Sequence, residues 1–134
     1  MRSRRIRQQV YTRRLYSFEH TFLRGEFKPT PMIVLQTIAR VICPQATVVA
    51  GRGCRDARGG WTSYARGRNI VLARHHRNIC VLLHEIAHVQ EYRGLDHGPA
   101  FRERFFSLIE KCTHLDIEYL QLAWDMLKIT TRRR

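Results

Sequence analysis

Two histidines and a glutamate in the stretch HEIAH could together hold and use a metal ion. His84 and His88 are four residues apart, and Glu85 directly follows the first histidine. In a helix, residues four apart project from one face, about one turn of 5.4 Å along the axis, so both imidazoles can reach one ion. Glu85 is then rotated by about 100° and lies on the flank of that face, where its carboxylate can hold a water. The spacing predicts a metal centre with its own base; the alternative is a helix that carries two histidines and no metal.

A catalytic zinc ion needs three protein ligands and one open position. His97 is the natural third ligand, because a short turn separates it from the first helix and it begins the next one. Asp96 and Glu103 are the alternatives, as ligands or as hydrogen-bond partners of the ligands. Zinc would lower the pKa of a bound water to about 7, and Glu85 would take its proton and later pass it to the leaving amine. The predicted chemistry is peptide hydrolysis without a covalent intermediate.

The elements that must position these residues predict an α+β fold. An apolar stripe over 4–24 predicts a basic N-terminal helix, and Thr30 and Pro31 can begin a second helix that Pro44 ends. Short β-branched segments at 46–51, 61–66 and 68–74 predict a small three-stranded, mainly antiparallel sheet. The helical period then returns for the HExxH helix, up to residue 92, and for two C-terminal helices over 98–112 and 115–129.

The length of 134 residues suits one domain, 1–134, with a basic N-terminal helix in 1–29, a catalytic core in 30–112 and a C-terminal helix with a basic tail in 113–134. We expect no membrane association, because no segment has the roughly 18 consecutive apolar residues of a membrane span. None of the four cysteines forms a C-x-x-C pair, which favours buried thiols in a reducing compartment. We therefore expect a cytoplasmic protein. The charge of the chain, described next, adds the expectation that it is associated with DNA.

Charge is the strongest feature of the composition. The chain has 24 Lys+Arg against 11 Asp+Glu, a formal net charge of +13, and only three of the basic residues are lysine. Arginine suits phosphate oxygens and stacks on bases, so we expect contact with DNA or another polyanion. An anionic membrane surface, an acidic protein or a merely solvated surface are the alternatives, and His75 and His76 would face solvent or phosphate. The candidate nucleic-acid contacts are Arg52, Arg55, Arg58, Arg66, Arg68 and Arg74.

The segments LLHEIAHV and HGPAF resemble the SprT-like metalloprotease family, which includes the Spartan-type proteases that cut proteins crosslinked to DNA. The pattern of that family, H-E-x-x-H followed by H-G-x-x-F or H-G-x-x-W, maps onto His84, Glu85, His88, His97, Gly98 and Phe101. The resemblance covers residues 30–112, extends to the compact core of the minigluzincins, and implies a zinc endopeptidase with a protein substrate. The chain departs from the pattern in its short spacer and in having no cysteine-rich zinc ribbon after the core. So compact a form would suit a phage or other mobile genome.

Enzymes of this type bind substrate as an extra strand along a sheet edge, which predicts broad specificity, and RNIVLAR (68–74) is the candidate edge. Trp61 and Tyr64 fit the core better than they fit stacking on bases. Tyr92 and Arg93 are near the motif in sequence, but their place relative to the oxyanion stays open. Two other functions compete with this interpretation: a non-catalytic basic DNA-binding module, and a regulatory metallopeptidase that cleaves one specific repressor-type protein. Oligomeric state and natural substrate stay open.

Overall fold

The chain folds into helices and short strands in the computed structural model, which describes residues 13–19, 21–23, 28–55, 61–91 and 97–132. In chain order the elements are α1 (described over 13–19 and 21–22), α2 (Met32–Ile42), β1 (Thr47–Ala50), β2 (Cys54–Arg55), β3 (Trp61–Thr62), β4 (Tyr64–Arg66), β5 (Asn69–Leu72), a 3-10 turn (Arg74–His76), α3 (Ile79–Gln90), α4 (Pro99–Cys112) and α5 (Ile117–Arg132). The predicted α+β class is confirmed.

Contacts along the chain divide it into two compact units. One is Gly25–Gln90, and the other combines Met1–Arg24 with Glu91–Arg134. The single domain expected over 1–134 stays a prediction. The start of the predicted first helix, at 4–12, and the last two residues of the basic tail lie outside the described residues.

A three-stranded sheet in the order β1–β5–β4 is the centre of the Gly25–Gln90 unit. β4 and β5 pair antiparallel across the turn at Gly67, as their closeness in sequence favours. β1 pairs parallel with β5, with Thr47 opposite Asn69 and Ala50 opposite Leu72, so the sheet is mixed rather than mainly antiparallel. The intervening chain makes the parallel pairing possible, because β1 and β5 are separated by more than a tight turn.

The strand expected over 61–66 divides in two at Ser63. β3 pairs with β2 as a separate two-stranded ribbon, while β4 joins the main sheet. The backbone of Gly53 has a φ of +82°, and a Cβ there would clash with the backbone carbonyl of Thr62, so only glycine fits the approach to this ribbon. Cys54–Arg55 is therefore a strand, although it lies outside the three segments predicted as strands.

The candidate edge strand was assigned wrongly. β5, the core of RNIVLAR, is the central strand of its sheet, with β1 on one side and β4 on the other. Its burial alternates as a half-buried strand requires, with Ile70 and Leu72 fully buried. Since both of its edges are paired, β5 cannot accept another strand, and β4 becomes the edge strand that packs against α3.

Two glutamine side chains tie the helices of this unit to their neighbours. α2 packs on β1 and α3, and the Gln36 side-chain amide donates to the backbone carbonyl of Val48 at 3.0 Å. At the end of α3 the Gln90 amide donates to the carbonyl of Ile42 at 3.2 Å. The first bond ties α2 to β1, and the second ties α3 to α2.

The other unit has an aromatic core. The ring of Phe18 on α1 lies 5.1 Å from Phe106 and 5.9 Å from Trp124, between ring centroids. The guanidinium groups of Arg14 and Arg102 lie over the Trp124 ring, at 5.1 Å and 4.9 Å from its centroid. Such cation–π contacts let basic side chains cover an apolar ring. The basic N-terminal helix is thus built into a core at its described end.

The four cysteines, Cys43, Cys54, Cys80 and Cys112, are free thiols. Cys43 and Cys80 are buried as expected, whereas Cys112 is half-buried. Burial raises the pKa of Cys43, opposed by hydrogen bonds from Gln90 and Ala46, and burial likewise raises the pKa of Cys112. Within the described residues, the helices are all too short or too polar to cross a membrane.

Candidate metal centre

α3 carries the HExxH motif and is fixed at both of its ends. Asn78 caps its first turn, because the Asn78 side-chain oxygen accepts a hydrogen bond from the Val81 amide at 2.9 Å. Its middle is buried on every side, since all residues from Leu82 to Ala87 are buried. A helix that is buried all round is typical of a core position. The motif is therefore held rigidly and shielded from bulk water.

His84 and His88 project together from α3. Their ring centroids are 5.0 Å apart at an interplanar angle of 63°. His84 and Glu85 are each 7% exposed, and His88 is half-buried. A carboxylate as buried as that of Glu85 is rare unless it is paired or has a function. The helix thus places two imidazole rings and one buried acidic group close together.

His97 has an unusual backbone. Its φ is +57°, the one positive value at a non-glycine residue in the described part of the chain. A residue with a Cβ pays roughly 1–2 kcal/mol for this left-handed conformation. His97 directly precedes Gly98, the N-cap of α4, and Pro99 lies in the first turn of that helix. Strain of this kind is concentrated at functional sites, where the surrounding structure compensates for it.

Two aromatic rings orient the His97 imidazole within its own unit. The ring of Phe101 lies 5.0 Å away at 86°, and that of Tyr16 lies 5.8 Å away at 58°. The His97 side chain is only 8% exposed. Phe101 is the final position of the H-G-x-x-F pattern, so one role of that position is to hold the histidine ring edge-on. Tyr16 was not predicted from the sequence, because it is far from His97 along the chain and no local pattern connects the two residues.

The three histidines are close enough to share one ion. One ligand atom from each of His84, His88 and His97 can be chosen so that all lie within 4.8 Å of one another. This set could bind a metal ion, and imidazole nitrogens suit zinc, copper, iron and nickel. Of the alternative ligands, Glu103 is exposed and outside this set, and Asp96 lies outside the described residues, as do Tyr92 and Arg93. The ligand roles stay predictions.

The arginines proposed as nucleic-acid contacts lie on the surface of the Gly25–Gln90 unit. The exposed ones are Arg52, Arg55, Arg66, Arg68 and Arg74, while Arg58 lies outside the described residues. The guanidinium of Arg66 lies over the half-buried ring of Tyr64, 5.4 Å from its centroid. Tyr64 is therefore covered by an arginine from its own strand. The side chain of Trp61 is outside the described residues.

Comparisons of the chain with models of protein families, with curated proteins and with solved structures give no match. The resemblance to SprT-like proteases stays a prediction that depends on the motif residues and their arrangement.

Proposed function

We propose that this chain is a zinc-dependent endopeptidase of the SprT-like type that cleaves DNA-associated proteins. The observation that carries the proposal is the approach of His84, His88 and His97 to within 4.8 Å, together with the buried carboxylate of Glu85 beside the first of them. Three protein ligands leave a fourth position open, which distinguishes catalytic zinc sites from closed structural ones.

The spacing and the chemistry of the histidine set support zinc as the proposed metal. Nitrogen ligands about 2.1 Å from a tetrahedral ion are about 3.4 Å from one another. The observed limit of 4.8 Å exceeds this value by little more than 1 Å, which small side-chain rotations can close. The set contains imidazole nitrogens alone, with no hard oxygen donor that would favour calcium or magnesium.

Glu85 is the proposed base. Bound zinc would supply a Lewis acid, which polarises a carbonyl and acidifies a water. The Glu85 carboxylate accepts a proton from the attacking water, whose oxygen forms a bond to the peptide carbon. When the C–N bond breaks, the same carboxyl group gives that proton to the departing nitrogen. Burial of Glu85 keeps competing water away and strengthens its interaction with the reacting atoms.

β4 is the proposed binding strand for the substrate. It is an outer strand of the β1–β5–β4 sheet and packs against α3, the helix that carries Glu85. A peptide that adds to β4 is bound through main-chain hydrogen bonds, which depend little on side chains. The proposal therefore predicts broad specificity, which is limited by the access of a substrate to β4 rather than by the sequence of the substrate.

The experiment that tests hydrolysis compares Glu85→Gln with the control Glu103→Gln, an exposed glutamate on α4. We expect Glu85→Gln to bind one zinc per chain like the wild type and to cleave about 10²- to 10⁴-fold more slowly, the usual contribution of general acid–base catalysis. Glu103→Gln should match the wild type in both properties. Zinc content is measured by mass spectrometry of the metal, and cleavage on a basic DNA-bound protein.

Each rival function gives a different result in this experiment. A non-catalytic module binds DNA but cleaves neither itself nor the basic protein in any variant. A regulatory peptidase cleaves one protein only, at a rate that added DNA does not change. Stimulation by DNA supports the proposed substrate class, and full activity in Glu85→Gln would refute the role of this carboxylate.

A further inference from the structure

A basic cleft of about 500 Å³ lies at the N-terminal end of α3. Its walls are the loop and first residue of α2, 29–32, together with Arg74, His75, Arg77 and Asn78. All of these residues belong to the Gly25–Gln90 unit. The volume is typical of a ligand pocket, and the cleft is open to solvent.

None of the described residues that line the cleft is acidic. Asp56 is the only acidic residue between Lys28 and His84 in the sequence. Among the described residues, the side chains of Arg74, His75 and Arg77 form no hydrogen bond or ion pair. The Nε atom of Arg77 is buried and has no acceptor. An arginine donor that is buried and unsatisfied is costly, so these groups are poised for an external anion.

The backbone around the cleft adds to this preference. The first turn of α2 has no side-chain cap and no acidic residue, so no side chain of that turn offsets the partial positive charge of the helix end. The Thr30 amide donates to the carbonyl of Arg77 at 2.9 Å and fixes the loop before α2 to the segment that carries the arginines. One hydrogen bond thus connects the uncharged wall, 29–32, to the basic wall.

We propose that this cleft binds a phosphodiester group of a nucleic acid backbone. Arginine forks and uncapped helix amides both suit phosphate oxygens. An open cleft admits a continuous polymer, whereas a free phosphate would fit an enclosed pocket better. The net charge of +13 supplies the long-range attraction. Asn78, which lines the cleft, lies directly before α3, the helix that carries the first proposed zinc ligand.

This inference is independent of hydrolysis, and its test uses the full-length Glu85→Gln protein, so failure of either proposal leaves the other intact. In that background Arg74→Ala is compared with Arg40→Ala, which removes the same charge from an exposed position near the opposite end of α2. The measurement is fluorescence anisotropy with a labelled DNA duplex over a series of salt concentrations.

We expect Arg74→Ala to lower the salt dependence of binding by about 0.9, the value for one phosphate contact, and to weaken binding about eightfold at 0.1 M salt. Arg40→Ala should leave both quantities nearly unchanged. Arg77→Lys provides a second variant that keeps the charge at the half-buried position; we expect it also to weaken binding, because lysine lacks the planar fork.

Two results would overturn the proposal. Equal losses in Arg74→Ala and Arg40→Ala would show that charge, rather than this cleft, determines binding. The second result combines two observations. Inorganic phosphate shifts the NMR signals of His75 in a parallel titration, and Arg74→Ala binds DNA with unchanged affinity. The cleft would then be a site for free phosphate and not for a polynucleotide.

Discussion

Replacing His97 by glycine and by alanine separates its backbone conformation from its proposed role as a zinc ligand. Both changes remove the imidazole and its ring contacts with Tyr16 and Phe101, so these losses cancel when the two variants are compared. Only alanine keeps a Cβ in the left-handed conformation at φ +57°.

The magnitudes follow from these differences. The left-handed conformation costs alanine roughly 1–2 kcal/mol, and the greater freedom of glycine in the unfolded chain returns about 0.4–1 kcal/mol of this. We therefore expect His97→Gly to be more stable than His97→Ala by about 1 kcal/mol, or about 4 °C in Tm. Zinc at 100 times its Kd should stabilise the wild type by about 2.7 kcal/mol.

The loss of metal affinity should be large in both variants. Removing a hydrogen-bond partner of a ligand already costs about 10- to 100-fold, so loss of a ligand should cost at least about 100-fold. At the same zinc concentration the stabilisation then falls to about 0.4 kcal/mol. The assay is thermal unfolding of the wild type and both variants, with zinc and with a chelator.

Either half of this reasoning can be refuted separately. Equal Tm values for the two variants in chelator would mean that residue 97 does not adopt the left-handed conformation. A zinc-dependent rise in Tm as large as that of the wild type would mean that His97 is no ligand, and Asp96 would be the next residue to test.

The remaining predictions concern substrate binding and thiol chemistry. If β4 binds substrate through main-chain hydrogen bonds, peptides with two N-methylated amides beside the cut site should have a kcat/KM about 5- to 150-fold lower, because each lost bond costs about 0.5–1.5 kcal/mol. Equal rates for N-methylated and side-chain-substituted peptides would contradict this. Iodoacetamide at pH 8 should label exposed Cys54 before buried Cys43, as peptide mapping can show. Since burial raises the pKa of Cys43, the folded state holds that proton more tightly, and stability should fall as pH rises above about 8.5, less so in Cys43→Ala.

The helices near the proposed site could be predicted from the sequence because their signals are local. The helix expected over 98–112 is observed as Pro99–Cys112. The HExxH helix ends at Gln90 instead of the expected residue 92. Apolar periodicity, proline and capping residues act within one or two turns, so a single segment contains the information.

The strand order could not be predicted in the same way. The pairing of β1 with β5 joins segments that have three other strands and a turn-rich stretch between them, and no local pattern specifies it. The ribbon of β2 and β3 depends on the positive φ of Gly53. The arginine-rich sequence around Gly53 does not predict this conformation. The error in the substrate edge followed directly, because edge and centre are properties of the whole sheet.

The candidate site was predictable to different degrees. Spacing alone places His84 and His88 on one face of α3, since the helix fixes their relation. The aromatic support of His97 by Tyr16 and the buried Nε of Arg77 depend on tertiary packing. A sequence shows Arg77 as one of many basic residues, and only the structure distinguishes it from those with partners.

The parallel pairing of β1 with β5 also constrains how the protein is made. On a ribosome that adds about 5–20 residues per second, β1 emerges roughly 1–4 s before the strand that it must join. The nascent chain therefore exposes an unpaired template during translation, although β1 is only four residues long, which limits its ability to recruit neighbouring chains. Synthesis rate, and not only final stability, should influence the yield of correctly assembled protein.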